Sequence, residues 1–377
     1  FGSRSRERRA QRTAPRRLMA SLVSAATWAP PPTEERSPIF FAPSGTGGGD
    51  GLFASCAFGP GEQILQEPAL MSVPHSISLE GLHEALMASR QQEALQCTDL
   101  FRGPPAGARV QFYHAWAEAE RTESSASGLG ASEAKPLGRA SAVDTMLALC
   151  FNSYISQPSE KYQLVYAHMC KANHSCTPNA SVLANDEGPG ELICLRPIEP
   201  GDEITVSYID DRALAKPVEH RQGQFTRKWE FRCSCLRCAA PADDTRRFSC
   251  PRQDCKGQCA VLRQGAPAEA VVCCDICGQA PPEDTVDDWE VLEVEVGKLI
   301  SALPSSLYSA WCPCEEFAAG HPGHWLTGCW KRYLAAHVEK EANEAQDAEE
   351  AEALHAEATT HLVAARQCLQ AVIGVAG

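Results

Sequence analysis

The sequence has no apolar run approaching the roughly 20 residues that a membrane-spanning helix requires. No heptad pattern persists for three repeats, which excludes a long coiled coil. There is also no convincing internal repeat, so periodicity alone gives no solenoid. With 44% hydrophobic and 22% charged residues, the 377-residue chain has the composition of an ordinary folded protein. Its length suits about two or three domains.

Positive charge is scarce, since 34 Lys and Arg face 48 Asp and Glu for a net charge of −14. The deficit is uneven: the first 17 residues hold seven Arg and one Glu, a charge of +6, and the remainder carries about −20. An acidic body disfavours binding to phosphate backbones and suits a cationic partner, such as a Lys-rich protein tail. Acidity that merely keeps the protein soluble is the alternative. We therefore expect neither direct nucleic-acid binding nor membrane association.

Residues 1–42 are rich in Arg, Pro and Ser and are predicted to be a disordered or targeting segment. Their basic start precedes a short, weakly apolar run, which leaves a signal or transit peptide as an alternative. Met19 is an alternative start of the chain.

Cysteine is frequent, with 19 residues, and its tight clusters favour metal thiolates over separate disulfides. Cys233, Cys235 and Cys238 are close enough for one zinc ion to bind all three. Zinc requires a fourth ligand, and Cys250 or a cysteine brought in by the fold, such as Cys176, could supply it. A loop of reduced cysteines is the alternative. Thiolates imply a reducing compartment, so we expect an intracellular protein of the cytoplasm or nucleus, with organellar targeting by the Arg-rich start left open.

A second group of four cysteines has the spacing of a zinc ribbon with two knuckles. Its members are Cys250, Cys255, Cys274 and Cys277. The first gap is wider than usual, so Cys259 or Cys273 could replace a ligand; with the earlier group, two zinc ions are predicted. A third group combines cysteines and histidines at irregular spacing, which we interpret as structural or incidental. Its members are Cys312, Cys314, His321 and His324.

Strand-like and helical patterns both occur along the chain. Two apolar runs flank the turn cluster at 58–62, which predicts a hairpin. Three short runs divided by Gly and Pro, at 179–186, 191–199 and 202–210, suit a compact barrel-like β core. Helical spacing marks 79–121, 142–154, 289–303 and 325–372. The prediction is an α+β protein.

The stretch KANHSCTPNASV, residues 171–182, crowds an Asn, a His, a Cys and a second Asn around a proline. Alone, it is compatible with an ordinary turn before a strand. However, GGGDGLFA lies upstream, GDEITVSYID lies downstream, and the C-x-C-x-x-C group follows. Four motifs in this order resemble the SET-domain protein-lysine methyltransferases, most closely the SET and MYND domain type. The resemblance covers about Gly49 to Cys238.

This resemblance implies a cofactor, S-adenosyl-L-methionine, and a set of residues that hold it. Those residues are Gly49, Asp50, Gly51, Leu52, Asn152, Asn173, His174 and Phe231. It also implies that Tyr208 is the catalytic tyrosine and that one zinc ion joins the opening stretch to the later cysteines. The implied ligands are Cys176, Cys233, Cys235 and Cys238. The implied activity is methyl transfer to a lysine of a protein substrate, histone tail or otherwise.

Several features depart from the family pattern. No MYND finger is visible, since Cys97 is the only cysteine in the range 73–144. Trp229 stands where the family has a tyrosine, two residues before Phe231, and Asp50 replaces a basic residue between the glycines. These departures support a rival hypothesis, in which the chain is a zinc-stabilised interaction scaffold that keeps the SET fold without catalysis.

The predicted organisation follows from these motifs and patterns. Segment 1–42 precedes a SET domain at 43–211 with a helical insertion at about 76–170, a post-SET zinc segment at 212–240, a zinc-ribbon-like segment at 241–283 and a helical domain at 284–377. The last of these resembles the tetratricopeptide-like tail of the family.

Overall fold

The structure is a computed structural model that describes residues 37–45, 49–78, 81, 100–101, 103–104, 106–115, 139–303 and 307–373. The chain divides into two compact units. The insertion unit contains Gln66–Cys170 and Leu183–Glu191, and the site unit contains Arg36–Leu65, Lys171–Val182 and Leu192–Gly377. Within the described ranges, no helix is both long enough and apolar enough to cross a bilayer.

Strands and helices are mixed along the described chain. The strands are β1 (Ile39–Pro43), β2 (Asp50–Ala54), β3 (Gln63–Glu67), β4 (Met71–Pro74), β5 (Ser153–Ile155), β6 (Tyr162–Val165), β7 (Asn173–His174), β8 (Ala180–Leu183), β9 (Gly190–Cys194), β10 (Glu203–Val206), β11 (Ala242–Ser249) and β12 (Gln258–Leu262). The helices are α1 (Arg139–Asn152), α2 (Asp211–Leu214), α3 (Val218–Lys228), α4 (Leu236–Ala239), α5 (Glu283–Ser301), α6 (Leu307–Gly320), α7 (Trp325–Glu344) and α8 (Ala348–Ile373). Residues 108–115 are also helical.

The principal sheet of the site unit has the order β1-β2-β10-β7. β2 pairs antiparallel with β1 and with β10, whereas β10 and β7 are parallel. Leu52 and Ala54 of β2 are fully buried, two residues apart, as expected for a strand that packs one face on the core. The parallel pair lays the end of β10 beside Asn173 and His174. This pairing assembles the site described below.

The hairpin predicted around the turn cluster 58–62 is wrong. β2 pairs with β1 and β10, while β3 belongs to another sheet, of order β3-β9-β8. The turn residues bond to the β9–β10 region instead: Phe58 forms a bridge with Ile198, and the N–H of Gly61 donates to Cys194 O over 2.8 Å. Neighbouring runs therefore separate because each finds its strand partner in a distant segment.

The insertion unit has a sheet of its own, in the order β4-β6-β5, with α1 against it. Apolar side chains from the strands and from the helix pack together in one core. They include Met71, Val73, Met146, Leu149 and Val165.

β11 and β12 form a two-stranded ribbon on which the C-terminal helices pack. At the centre, the ring of Phe248 stacks on Trp289 of α5 with 4.9 Å between centroids. Phe317 of α6 and Trp330 of α7 complete this core. α6 lies within the predicted helical domain, between the two stretches with helical spacing, and it contains Pro313, although a proline removes a helical hydrogen bond.

The α+β class is confirmed, with β-sheets, cysteine-rich segments and a helical C-terminal region. The helical patterns predicted at 142–154, 289–303 and 325–372 correspond to α1, α5 and the pair α7–α8. The boundaries of the predicted segments stay a prediction. Most of segment 1–42 and of the helix predicted at 79–121 lies outside the described residues.

Candidate functional site

Asn173 and His174 form the short strand β7, and the neighbouring strand β10 leads to Tyr208. The backbone N–H of Tyr208 donates to Nδ1 of His174 over 3.0 Å. The Tyr208 hydroxyl donates to the carbonyl oxygen of Ala172 over 3.0 Å. The backbone and the phenol of Tyr208 are therefore both hydrogen-bonded to the segment that carries the Asn-His pair. These two bonds fix the position of the hydroxyl.

The buried ring of His174 lies between Tyr208 and the first cysteine of the motif. Because Nδ1 accepts the Tyr208 N–H, the neutral ring carries its proton on Nε2. Nε2 lies 3.3 Å from Sγ of Cys176 and donates toward it. Burial lowers the pKa of His174 to about 4, so the ring is neutral at pH 7. His174 thus connects the tyrosine backbone to a thiol by two hydrogen bonds.

Aromatic rings surround the Tyr208–His174 pair and form what we call the aromatic wall. Trp229 lies 5.4 Å from Tyr208, and Phe225 lies 4.3 Å from His174, between centroids. Phe231 lies 6.4 Å from both Tyr208 and His174 and stacks on Phe225 at 5.3 Å. The wall is defined as Phe225, Trp229 and Phe231.

The end of α3 positions this wall. Phe225 lies within the helix, and Trp229 caps its carboxyl end with an N–H bond to Phe225 O. Glu230 then adopts a φ of 60°, in the left-handed region that side chains rarely occupy, and the chain returns with Phe231 against Phe225. Nζ of Lys228, the last residue of α3, lies 4.5 Å from the Trp229 ring centroid, within cation–π range.

The predicted cofactor residues 49–52 form the start of β2 and the residue before it, and one carboxylate joins them to the Asn-His pair. Gly49 has a φ of 100°, which glycine adopts without strain. A Cβ on Gly51 would lie 2.5 Å from Oε1 of Glu203 and 3.0 Å from Nδ2 of Asn173. The same Oε1 accepts from Asn173 Nδ2 over 2.9 Å and from the Ser44 hydroxyl over 2.7 Å.

Asp50 and Leu52 flank that glycine on β2 and differ in exposure. The Asp50 residue is exposed, and its carbonyl oxygen accepts from Asn173 Nδ2 over 3.4 Å. Leu52 is fully buried in the core. Asp50 is therefore the one that presents a side chain to solvent, while Leu52 contributes packing and backbone.

Asn152, the remaining residue predicted to hold the cofactor, belongs to the insertion unit. It ends α1, where its amide nitrogen donates to the carbonyl oxygens of Phe101 over 2.7 Å and Ala148 over 2.6 Å. The structure therefore shows Asn152 bonded to its own unit. Its role toward a cofactor stays a prediction.

Four sulfur atoms converge in the site unit, and we call them the first cluster. They are those of Cys176, Cys233, Cys235 and Cys238, all buried and all within 4.8 Å of one another. Tetrahedral zinc with bonds of about 2.3 Å places its sulfur ligands about 3.8 Å apart. The observed Cys176–Cys238 separation of 3.5 Å is close to that value. The fourth thiol is thus Cys176, and Cys250 lies elsewhere.

Two buried guanidinium groups adjoin the first cluster. Arg221 is 1% exposed, and its Nη2 lies 3.7 Å from Sγ of Cys238. Arg237 donates from Nη1 to the carbonyl oxygen of Cys176 over 3.2 Å and pairs through Nε with Asp244 over 3.1 Å. Buried cations are costly unless they face anions. The surroundings therefore favour thiolates over neutral thiols, and the donor set fits a bound zinc ion.

The predicted zinc-ribbon cysteines also converge, in what we call the second cluster. They are Cys250, Cys255, Cys274 and Cys277, with ligand atoms within 4.8 Å of one another. Cys250 and Cys277 lie 3.9 Å apart, and Cys255 and Cys274 lie 3.7 Å apart, between sulfurs. Backbone N–H groups lower the pKa of Cys274 to about 7. This geometry again fits tetrahedral zinc.

The proposed substitute ligands lie outside the second cluster. Cys259 is fully buried beside it, and burial raises the pKa of its thiol to about 12, which keeps it protonated. Cys273 is exposed. A Cβ on Gly257 would collide with the sulfur of Cys274, so a glycine there lets the two halves of the ribbon meet.

The histidines of the third group accept backbone hydrogen bonds and pack in the core. Nδ1 of His321 and Nδ1 of His324 each accept a backbone N–H, over 3.1 and 3.2 Å. Both rings pack on Phe248. Within the described part of the chain, ligand atoms that could hold a metal converge only in the first and second clusters. The third group therefore belongs to the packing of the ribbon against the helices.

Sequence reasoning missed Ser44, Glu203 and Arg221. Glu203 stands inside the motif GDEITVSYID, so its place in the motif was a signal, but its neighbours just after β1, on β2 and on β7 depend on strand register. Arg221 lies in an ordinary polar helix and carries no sequence signal. Its burial next to sulfur is visible only in three dimensions.

Comparison with known proteins identifies the domain that carries this site. Residues 49–209 match the SET domain family. A SET and MYND domain-containing protein of Dictyostelium discoideum is 41% identical over 66 residues, 18% of this chain. Mouse histone-lysine N-methyltransferase SMYD3 is 37% identical over 81 residues, 21% of this chain. Mouse protein-lysine N-trimethyltransferase SMYD5 is 36% identical over 73 residues, 19% of this chain.

The aligned part is 18% of the length of each of these three relatives. The similarity is therefore local, and it agrees with the motifs and the site geometry. Residues 49–209 are a SET domain, and over part of its length the chain is similar to the SET and MYND domain proteins.

Proposed function

We propose that the chain transfers a methyl group from S-adenosyl-L-methionine to the side-chain nitrogen of a protein lysine. The observation that carries this proposal is the double attachment of Tyr208, through its backbone to His174 and through its hydroxyl to Ala172. It fixes a phenol beside the Asn-His pair and the aromatic wall. The names of the relatives SMYD3 and SMYD5, which describe lysine methyltransferases, support the same activity.

The surroundings of Gly51 suit a positively charged methyl donor. When bound, S-adenosyl-L-methionine supplies a methyl group on a cationic sulfonium. Glu203 contributes a half-buried carboxylate to this region. Asn173 commits Nδ2 to Glu203 and Asp50, and no described residue donates to its Oδ1, so this oxygen can accept from an ammonium group. Phe231 offers a flat apolar face to an adenine ring.

The aromatic wall and Tyr208 act on the incoming lysine. A free lysine has a pKa of about 10.4, and an apolar channel favours its neutral, nucleophilic form. The Tyr208 hydroxyl donates its hydrogen bond to the carbonyl oxygen of Ala172. The lone pairs of its oxygen can therefore accept an N–H of the amine. Methyl transfer is a displacement that requires alignment, and positioning of this kind contributes up to about 7–11 kcal/mol.

The metal sites have a structural role in this proposal. Each cluster supplies four cysteines, so a bound zinc ion would have no open position for a reactant. In the first cluster, zinc would hold Cys176 and thereby fix the loop that also carries Asn173 and His174. We propose two zinc ions per chain.

Substrate and compartment are proposals as well. The residues after position 17 carry about −20 charges, which suits lysine-rich segments such as histone tails. Two clusters of cysteine thiolates suit the reducing cytoplasm or nucleus.

The rival function is a SET-domain scaffold without catalysis. Trp229 replaces a hydroxyl-bearing residue in the aromatic wall, and Lys228 already places an ammonium 4.5 Å from its ring. A resident cation on the Trp229 ring would compete with the substrate for the wall.

The two functions are distinguished by radiolabelled methyl incorporation into core histones and lysine peptide arrays, with donor binding measured by calorimetry. We expect Tyr208→Phe to lower incorporation by about 100-fold, because the amine loses its positioning, while donor affinity stays near that of the parent chain. Tyr162→Phe, in the insertion unit, is the matched control and should retain activity. Equal incorporation by Tyr208→Phe would refute the catalytic role, and absence of donor binding would favour the scaffold.

A further inference from the structure

Arg221 is a buried cation in the first turn of α3. It is 1% exposed, and charged side chains are almost never buried to this extent without an anionic partner. Among the described residues, none of the ion pairs includes a carboxylate with Arg221. Its Nη1 donates to the carbonyl oxygen of Lys216 over 2.6 Å, which satisfies a donor without balancing the charge.

The sulfur of Cys238 is the group in contact that can carry a negative charge. Nη2 of Arg221 lies 3.7 Å from it. Arg237, the other guanidinium at the first cluster, already pairs with Asp244 over 3.1 Å. Of the two guanidinium groups at the first cluster, Arg221 is therefore the one without a carboxylate ion pair among the described residues, and it is the one that contacts a sulfur.

Charge counting on the metal site gives the same result. Four thiolates around one divalent zinc ion leave two negative charges in a buried place. Such a site is stabilised by a nearby cation, and groups that hydrogen-bond to the ligands tune both metal affinity and ligand reactivity. If the thiols were neutral, the anion left to favour the charged form of Arg221 would be the carboxylate of Asp243, which helps to raise the pKa of Arg221 but accepts its hydrogen bonds from Val218 and Thr245.

We propose that Arg221 is the counter-charge of the first cluster, donating from Nη2 to the Cys238 thiolate and offsetting the negative charge of the four thiolates around zinc. This inference rests on zinc binding at the first cluster and is independent of methyl transfer. Arg221 is a positioning residue: it acts on the thiolates, and through them on the loop that holds Cys176.

Helix α3 makes this charge contact part of a larger attachment. Gln222, the next residue, donates from Nε2 to Cys233 O over 2.7 Å and accepts the Cys233 N–H over 3.0 Å. One turn later, Phe225 packs on His174. The helix thus contacts the first cluster with one end and the aromatic wall with the other.

The test uses the zinc-loaded full chain with three variants. Arg221→Met removes the charge at similar volume, Arg221→Lys keeps the charge without the fork of donors, and Arg227→Met removes an exposed charge from the same helix as a control. Zinc content is measured by elemental analysis, and transfer of zinc to a colorimetric chelator is followed in time. The second cluster serves as the internal reference.

We expect Arg221→Met to speed zinc loss from the first cluster by about 10- to 100-fold, the usual effect of removing a group that supports metal ligands. Loss from the second cluster should stay unchanged, Arg221→Lys should be intermediate, and Arg227→Met should match the parent chain. In the cobalt-substituted protein, the thiolate-to-cobalt charge-transfer band of Arg221→Met should move to lower energy, because thiolate electrons are less stabilised without the cation.

Three results would overturn the proposal. They are unchanged zinc release and an unchanged cobalt band in Arg221→Met, equal acceleration at both clusters, or a parent chain that holds no metal at the first cluster. If Arg221→Met does not fold, the cobalt band and release rate of Arg221→Lys against Arg227→Met decide the question. A chain that holds zinc as expected but does not methylate would leave this inference standing and refute only the enzymatic one.

Discussion

Glu203 shows how one side chain can organise a site. A single carboxylate oxygen accepts hydrogen bonds from Ser44 and Asn173 and lies where a side chain on Gly51 would have to go. The residues that meet here come from three parts of the chain: the segment with Ser44 and Gly51, the segment with Asn173, and β10 with Glu203 itself. Gly51 is therefore required for the space that it leaves to Glu203, and its neighbour Gly49 for its backbone conformation.

Gly51→Ala should weaken donor binding. The new Cβ would lie 2.5 Å from Oε1 of Glu203, so the carboxylate must move and release Asn173. Loss of a hydrogen bond to a charged group costs about 1.5–3 kcal/mol, and we expect a rise of tenfold or more in the donor dissociation constant, measured by calorimetry. Gly59→Ala, whose Cβ would meet its nearest neighbour at 3.6 Å, is the neutral control. Unchanged binding by Gly51→Ala would contradict the arrangement.

At the scale of elements, the short helix α3 connects the first cluster to the aromatic wall. It brings Arg221 to the first cluster and Phe225 to the aromatic wall, positions four apart that share one helix face. The helix ends where Trp229 caps it, and Glu230 reverses the chain in a left-handed conformation. The return of Phe231 depends on that reversal.

The reversal predicts an order of stability at position 230. A left-handed conformation costs about 1–2 kcal/mol for most side chains, while Asn tolerates it and β-branched residues tolerate it least. Glu230→Asn should therefore have a higher urea midpoint than Glu230→Val, and the two variants should differ by about 1–2 kcal/mol in unfolding free energy. Tryptophan fluorescence and circular dichroism provide the measurement. A Val variant as stable as the Asn variant would contradict the assigned conformation.

At the scale of the whole molecule, two thiolate clusters serve different parts of the site unit. The first joins Cys176, in the loop after β7, to the segment at 233–238. The second closes the ribbon on which the C-terminal helices pack. Both would stabilise the fold, but only the first is attached to His174 and Tyr208, through the Nε2 contact with Cys176.

Cys176→Ser and Cys277→Ser form a matched pair that separates these roles. Each should lower the zinc content by one ion per chain and lower the thermal midpoint, since structural zinc contributes on the order of 10 kcal/mol in small zinc-dependent domains. Donor affinity should fall by about tenfold or more in Cys176→Ser and stay near the parent value in Cys277→Ser. Equal donor affinities in the two variants would refute the coupling between the first cluster and the predicted cofactor residues.

Local spacing was sufficient for much of this molecule. The cysteine groups at 233–238 and 250–277, the helical patterns of α1, α5, α7 and α8, and the order of the four motifs could all be read along the chain. Cysteines two to five positions apart in the sequence must lie close together whatever the rest of the fold does, and helical periodicity is a property of neighbouring residues. These features depend on short-range geometry.

The tertiary structure decided the rest. β2 and β3 belong to different sheets, and Thr205 of β10 pairs with Asn173 of β7. Local sequence does not determine these pairings, because hydrogen-bonded partners in a sheet need not be neighbours in sequence. Resemblance suggested Cys176 as the fourth ligand, but its distance to Cys238 is a result of folding. The buried charge of Arg221 had no sequence signal, and the motif that contains Glu203 did not reveal the partners of its carboxylate, since burial and charge pairing are properties of the assembled core and not of a residue's neighbours in the chain.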